Sequence, residues 1–263
     1  MRSALTPRML FPGILRVLFT FLALASVAAA QNSPFRPALV GNGPKSLVNQ
    51  IDAKKLAAKG QGNAAVMFEC YIGHSGKAED GRTYRGTPDS KRLAREVEEA
   101  LQRSYFIPAV FKGKPVSVYF AGAAMFYVID GKPQLHVYAN QSPEDLKQGK
   151  DFIAPQLISG TDDWDAAKPE LEKARLHQRN GAAVLAISVD ASGKVTNMKV
   201  ASEDPPNYNF GRAALKEYAG ARYIPGFRNG QPVACTFEYT SYVIAYRKSR
   251  YQRLNPTIIG PQE

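Results

Sequence analysis

Apolar and polar positions alternate most clearly in the second half of the chain. Residues 184–189 place apolar side chains at every second position and predict a half-buried strand, and residues 195–200 predict a second strand after a turn that ends at Gly193. Residues 233–246 alternate again and predict one long strand or two. Between these strands a helix is predicted, because apolar side chains recur at four-residue spacing at Phe210, Ala214 and Tyr218.

The first half of the chain repeats this order at an offset of 117 residues. The sequence YFIPAVFKGKPV at residues 105–116 corresponds to RYIPGFRNGQPV at residues 222–233. Farther upstream, GNAAVMFECYIGHSGK at residues 62–77 parallels NGAAVLAISVDASGK at residues 180–194. The repeat is too long for a solenoid, so the sequence predicts a duplicated domain with the order strand, strand, helix and long strand.

The first half differs from the second by one additional strand. Its long strand runs from about residue 116 to residue 129, and the dipeptide Asp130-Gly131 predicts a tight turn into an extra strand at residues 134–138. Its helix has an apolar stripe formed by Leu93, Val97 and Leu101.

The repeat divides the chain into five regions. They are a signal peptide at residues 1–30, a first domain with the extra hairpin at residues 31–140, a linker with a lead-in helix at residues 141–180, a clearer second domain at residues 181–250, and a flexible tail at residues 251–263. The lead-in helix is placed at residues 169–178.

The N-terminus has the order of a secretory signal. Three arginines precede or border an uncharged apolar run at residues 17–30, which ends in small residues. The run is shorter than the roughly 20 residues that a membrane-spanning helix needs. We therefore predict a cleaved signal peptide and a periplasmic protein. The alternative is an inner-membrane anchor through residues 9–30, which would place Arg16 inside the bilayer at a high energetic cost.

Composition excludes several classes of protein. The chain has 263 residues, of which 44% are hydrophobic and 22% are charged, as in globular domains and unlike disordered, collagen-like or polytopic membrane proteins. The formal net charge is +11, and loss of the three arginines of the signal would leave +8. A basic exported protein could meet anionic lipid, lipopolysaccharide or cell-wall polymer, whereas nucleic acid is not expected as a partner.

The sequence carries few groups for catalysis or metal binding. His74, His136 and His177 have no metal-ligand spacing, and there is no G-x-S-x-G motif or phosphate-binding glycine loop. We therefore expect no enzyme activity, no catalytic residues, no metal and no cofactor. Export would place Cys70 and Cys235 in an oxidising compartment, where they form either an interdomain disulfide or two buried thiols.

The second half resembles the C-terminal domain of TonB energy transducers. The resemblance lies in residues 169–174, Gly181, Val184, Ile187, Val189, the SGKV of residues 192–195, Val200, Ala213, Ala214, Leu215 and the YIPGFRNGQPV of residues 223–233. The first half keeps the A-A-V, S-G-K and I-P-x-x-x-x-G-x-P-V elements. The resemblance implies an α+β fold, in which a small antiparallel sheet packs against one or two helices, in two tandem copies. It also implies a periplasmic, non-catalytic module.

Strand addition is the binding mode that the resemblance implies. In transducers the domain binds a short peptide of an outer-membrane transporter by pairing it to the sheet edge. The candidate edge strand carries Phe237, Tyr239, Tyr242, Ile244 and Tyr246. Core packing is the alternative role of these side chains, and only one face can serve it: Phe237 and Tyr239 share one face, and Tyr242 and Tyr246 share the other.

Two functions follow from the sequence. The first is a periplasmic binding protein that engages a transporter peptide or an envelope protein, in TonB-linked outer-membrane transport, with added avidity if both copies bind together. The alternative is a structural or envelope-associating protein that pairs its sheets, as a homodimer would, and meets an anionic envelope polymer through its basic surface.

Overall fold

The computed structural model describes residues 33–140, 151–159 and 181–243, which form two lobes around antiparallel sheets. The first lobe contains α1 Leu47–Gln50, α2 Ala53–Ala58, β1 Ala64–Ile72, β2 Ala78–Gly86, α3 Lys91–Leu101, β3 Ala109–Phe111, β4 Lys114–Val116, β5 Val118–Ile129 and β6 Lys132–Tyr138. The second contains β7 Phe152–Ile153, β8 Gln156–Leu157, β9 Gly181–Val189, β10 Val195–Asp204, α4 Phe210–Tyr218, β11 Tyr223–Ile224, β12 Gly226–Arg228, β13 Gln231–Val233 and β14 Cys235–Val243.

The sheet of the first lobe has the strand order β2-β1-β5-β6, and all neighbours are antiparallel. Helix α3 covers its inner face with Leu93, Val97 and Leu101, which are at most 1% exposed. Burial of one such side chain stabilises a fold by about 1.5–3 kcal/mol. The strand β1 contributes alternate buried residues to the same layer: Ala64, Val66, Phe68, Cys70 and Ile72.

The sheet of the second lobe has the order β10-β9-β14, again antiparallel. The predicted strands and helix of this half are confirmed as β9, β10 and α4. β9 and α4 pack their apolar faces together in one core. The residues of this core include Leu185, Ile187, Val189, Phe210, Ala214 and Tyr218. Residues 233–246 are predicted as one long strand or two. In the structure Val233 ends β13, residues 235–243 form the single strand β14, and residues 244–246 lie outside the described part.

Strand pairing follows the same register in both lobes. Each pair between β1 and β5 has a counterpart between β9 and β14 at 117 positions later, and the short hairpins β3–β4 and β12–β13 correspond at the same offset. The end pairs are Ala64↔Phe126 and Ile72↔Val118 in the first lobe, and Gly181↔Val243 and Val189↔Cys235 in the second.

Two short strands lie inside the segment predicted as a linker. β7 pairs with β12 and β8 pairs with β11, so these strands belong to the second lobe. The first lobe has the same arrangement, because Arg36 bridges to Val110 and Leu39 bridges to Ile107. The corresponding pairs, at the same offset, are Ile153↔Phe227 and Gln156↔Ile224.

A glycine in the first hairpin turn of each lobe holds the segment that follows the helix. Gly76 and Gly193 have φ angles of +86° and +80°, where glycine meets no steric penalty. The amide of Phe106 donates to the carbonyl of Gly76 at 2.7 Å, and the amide of Tyr223 donates to the carbonyl of Gly193 at 3.2 Å. A Cβ at either glycine would overlap the facing carbonyl oxygen, so both positions require glycine.

The two lobes share buried contacts. Ile224 and Phe227 of the second lobe belong to the core of the first, and Tyr119 of the first lobe packs against the core of the second. The side chain of Gln156 also binds both backbone groups of Ala38: the Ala38 amide donates to Oε1 at 2.7 Å, and Nε2 donates to the Ala38 carbonyl at 3.0 Å. The described lobes therefore pack as one body.

The fold agrees with the expected α+β class in its antiparallel sheets and few helices. The predicted signal peptide, the lead-in helix at residues 169–178 and the tail at residues 251–263 lie outside the described residues. Within the part of the chain that is described, no helix combines the length and the apolar character needed to cross a membrane.

Candidate functional site

The outer edge of β14 is the candidate binding site. β14 stands last in the order β10-β9-β14 and pairs with β9 along nine residues without a register shift. Among the described residues, no strand pairs with its other edge. A sheet edge presents a row of unpaired N–H and C=O groups, and such a row is a template for an added strand.

The opposite edge of the same sheet is less suited to strand addition. β10 shifts its register against β9 twice, between Val195 and Asn197 and between Val200 and Ser202. Such bulges twist a strand and interrupt its row of backbone groups. β10 also carries charged side chains, which discourage pairing at an edge. β14 is therefore the regular edge of this lobe.

The structure divides the candidate edge residues between two faces. Phe237 is 9% exposed and faces the core with the half-buried Tyr239, whereas Tyr242 lies on the other face and is 59% exposed. Core packing is thus the role of the first two side chains. Ile244 and Tyr246 lie outside the described residues.

A cluster of tyrosines attaches β14 to the first lobe. The hydroxyl of Tyr218 donates to the hydroxyl of Tyr239 at 3.2 Å, and the ring of Tyr239 meets the ring of Tyr119 edge to face, with centroids 6.4 Å apart. Burial raises the pKa of Tyr119, Tyr218 and Tyr239, because the phenolate would lose its hydration. The inner face of β14 is therefore occupied by contacts within the molecule.

A buried carboxylate anchors the same cluster. Glu69 is 8% exposed and accepts hydrogen bonds from the Tyr119 hydroxyl and from Nε of Arg82, 2.5 Å away. Burial of a charge is costly without such partners. Sequence reasoning missed this group, although one signal was present: Glu69 is the only charged residue of β1, AAVMFECYI, and lies on the face opposite the core.

The residues considered for catalysis or metal binding are dispersed. His136 stacks on Tyr127, with ring centroids 5.3 Å apart, and His177 lies outside the described residues. In the described ranges, no three His, Cys, Asp or Glu side chains come together as metal ligands.

The two cysteines lie in different lobes. Cys70 is buried in β1, and burial raises the pKa of its thiol. Cys235 begins β14 and is half-buried. The structure has no disulfide between these two residues, and their pairing after export stays a prediction.

Comparison with known proteins identifies one family for this region. The family model described as the Gram-negative bacterial TonB protein C-terminal matches residues 172–242. The matched stretch contains β9, β10, α4 and the strands from β11 to β14, and its residues 172–180 lie outside the described part. No curated protein and no solved structure matches the chain.

Proposed function

We propose that this chain, whose residues 172–242 match the family model of the TonB C-terminal domain, is a non-catalytic envelope protein that binds an extended peptide by strand addition to β14. The observation that carries the proposal is the regular edge of β14, which no described strand covers. The resemblance to TonB energy transducers implies an outer-membrane transporter or an envelope protein as the partner. The ligand is accordingly a segment of such a protein, in TonB-linked transport.

We also propose that the chain holds two tandem copies of this domain. The family match covers the second lobe from β9 onward. The recurrence of the sheet register, the short hairpin and the glycine contact at the offset of 117 supports a second copy in the first lobe. Unrelated small domains would not share a register residue by residue over several separate elements.

Backbone hydrogen bonds would supply most of the affinity at β14, and side chains on its exposed face would supply selectivity. Tyr242 is the best-placed of these side chains, because 59% of its surface is exposed and an aromatic cross-strand pair contributes about 0.2–1 kcal/mol. Ile244 and Tyr246 extend the proposed edge on sequence grounds.

Export is the second part of the proposal. A signal peptide at residues 1–30 would release the mature protein into the periplasm, and the alternative is an anchor through residues 9–30. The intact mass of the protein from its native envelope, measured after fractionation, separates the two. Loss of about thirty residues and a periplasmic location support export, whereas a full-length chain in the inner membrane contradicts it and favours a transducer.

Hydrogen exchange tests the binding site directly. Synthetic peptides that cover the periplasm-facing segments of outer-membrane transporters are added to the full mature chain. A ligand should protect backbone amides of β14 and leave β10 unchanged. The substitution Tyr242→Ala should weaken binding up to about fivefold, which corresponds to about 1 kcal/mol. Tyr105→Ala is the matched control, because Tyr105 is 40% exposed and lies in the first lobe.

The alternative function gives a different result in the same experiment. If β14 becomes protected without peptide as protein concentration rises, and the sedimenting mass doubles, then the edge pairs with a second copy of the chain. That outcome would support a structural role by sheet pairing. Failure of every transporter peptide to protect β14 would count against the binding role.

A further inference from the structure

The first lobe carries one strand that has no counterpart among the described residues of the second. β6 pairs antiparallel with the outer edge of β5, and its register shows no shift. β5 corresponds to β14, because each pairs with the first strand of its own sheet in the same register. β6 therefore covers, on the first sheet, the edge that corresponds to the proposed binding edge of β14.

One face of β6 completes the core of the first lobe. Leu135 lies opposite Phe126 and Val137 lies opposite Ala124, and both side chains of β6 pack against the core of this lobe. Phe126 and Ala124 are at most 1% exposed. Aliphatic side chains at alternate positions of β6 thus cover the core beside the edge of β5.

On the other face of β6, two aromatic side chains of this strand stack with one of β5. His136 stacks between Tyr127 and Tyr138, with centroid distances of 5.3 Å and 6.3 Å and interplanar angles of 15° and 19°. This face lies away from the core. His136 lies opposite Met125 of β5. The residue of β14 that corresponds to Met125 is the exposed Tyr242.

The outer edge of β6, beside which no described strand lies, is itself protected against further strands. Its first two residues are Lys132 and Pro133. Proline has no N–H to donate, and lysine at an edge opposes the approach of another strand. The first sheet therefore ends in a protected strand, whereas the regular edge of β14 has no described strand beside it.

We propose that β6 occupies, beside β5, the position that a ligand strand takes beside β14. β6 closes the outer edge of β5 to partners, and its antiparallel orientation and its side chains indicate those of the strand that β14 binds. This inference rests on the proposed function of β14. The ligand is an extended segment antiparallel to β14, with aliphatic side chains opposite Ser241 and Val243 and a planar ring opposite Tyr242. Of the two corresponding edges, β5 and β14, only β14 then accepts a peptide.

A peptide with the sequence of residues 132–139, KPQLHVYA, is the probe for this inference. It is titrated into the full mature chain to about 1 mM, a range that captures weak strand addition. One peptide should bind per chain, with amide protection at β14 and none gained at β5 or β6. Two peptides per chain, or protection at the first sheet, would overturn the closure of the first lobe.

Disulfide trapping tests the orientation. Tyr138 of β6 lies opposite Ala123 of β5, and Ala123 corresponds to Thr240 of β14. A ligand that pairs with β14 in the register of β6 therefore has its Tyr138 position opposite Thr240. Each peptide is supplied with its cysteine as an activated mixed disulfide, so the new thiolate of a Thr240→Cys chain attacks the peptide sulfur and releases the small thiol. The Thr240→Cys chain should therefore link to the peptide with cysteine in place of Tyr138 at least about tenfold faster than to the peptide with cysteine in place of Lys132, because exchange depends on access. The unsubstituted chain with both peptides reports the background from Cys70 and Cys235.

The outcomes separate this inference from the proposed function. Faster linkage through the Lys132 position would mean parallel pairing and would overturn the inference. Failure of the β6 peptide to bind, when a transporter peptide protects β14, would overturn the inference and leave the proposed function intact. If no peptide of either kind protects β14, both fail.

Discussion

Gly193 lies directly against the carbonyl oxygen of Tyr223, and the Tyr223 amide donates back to the Gly193 carbonyl at 3.2 Å. This contact joins the first hairpin turn of the second lobe to the strand that follows its helix. Gly76 and Phe106 form the same contact in the first lobe. The two glycines therefore hold each sheet to its returning chain, and neither has room for a side chain.

Replacement of Gly193 should be far more harmful than replacement of another glycine with the same backbone conformation. Gly193→Ala combines a left-handed backbone, which costs about 1–2 kcal/mol, with overlap against a carbonyl, which costs about 1–3 kcal/mol more. Gly230 has φ +73° and open space around its Cβ position, so Gly230→Ala should show only the first cost. Urea unfolding of both variants measures the difference, and equal losses would contradict the contact.

The stability of the protein should fall at alkaline pH. Burial raises the pKa of four tyrosines above the usual value of about 10: Tyr119, Tyr218, Tyr223 and Tyr239. A raised folded-state pKa means that the unfolded state loses its proton first, so stability is complete below about pH 10 and is lost above it. Each such group adds up to about 1.4 kcal/mol per pH unit.

Unfolding free energies between pH 8 and pH 11 measure this effect. Tyr239→Phe removes one ionising group from the cluster and should reduce the steepness of the loss above pH 10. A variant with the same pH dependence as the unsubstituted chain would show that the hydroxyl of Tyr239 is hydrated in the folded protein.

The hydrogen bond from Tyr119 to Glu69 should stabilise the protein measurably. Tyr119→Phe keeps the ring and its contact with Tyr239 but removes a donor to a buried carboxylate, at a cost of about 1.5–3 kcal/mol. The matched control is Glu96→Gln, which breaks the exposed Lys59–Glu96 ion pair of 2.7 Å and should cost at most about 1 kcal/mol. Thermal or urea unfolding gives both values, and a loss for Tyr119→Phe no larger than that of the control would mean that water replaces the donor.

Local sequence patterns were sufficient for the long strands of each sheet and for the helix that packs against it. The alternation at residues 184–189 predicts β9, and the stripe of Phe210, Ala214 and Tyr218 predicts α4, because each pattern reports burial of one face of one element. The repeat offset also transfers to the sheet register, since residues with the same neighbours in sequence adopt the same pairing.

Contacts between distant elements could not be predicted in this way. β7 and β8 have two residues each, which is too short for any period, so they were assigned to a linker. The partners of Glu69 depend on where the two lobes meet, and no pattern within β1 encodes that position. For the same reason the alternation of β14 predicted two faces for its tyrosines but could not say which face the first lobe covers.

Gln156 gives the sharpest test of whether the lobes unfold as one unit. Its side chain is 5% exposed and satisfies both the N–H and the C=O of Ala38, at 2.7 Å and 3.0 Å. Gln156→Ala leaves two buried backbone groups without this partner, and each lost partner costs about 1–3 kcal/mol. Because Ile224 and Phe227 also lie in the core of the first lobe, the unsubstituted chain should unfold in a single cooperative transition.

Gln134 provides the control for this substitution, because its side chain lies on the exposed face of β6. Gln134→Ala should change stability by no more than about 0.5 kcal/mol. Urea unfolding followed by tyrosine fluorescence and by far-ultraviolet circular dichroism measures both variants. A loss of about 2–6 kcal/mol for Gln156→Ala, with coincident transitions of the two signals in the unsubstituted chain, fits lobes that fold together. Two separate transitions in the unsubstituted chain, with Gln156→Ala shifting neither, would mean that each lobe is stable alone and that the contact between them adds nothing to folding.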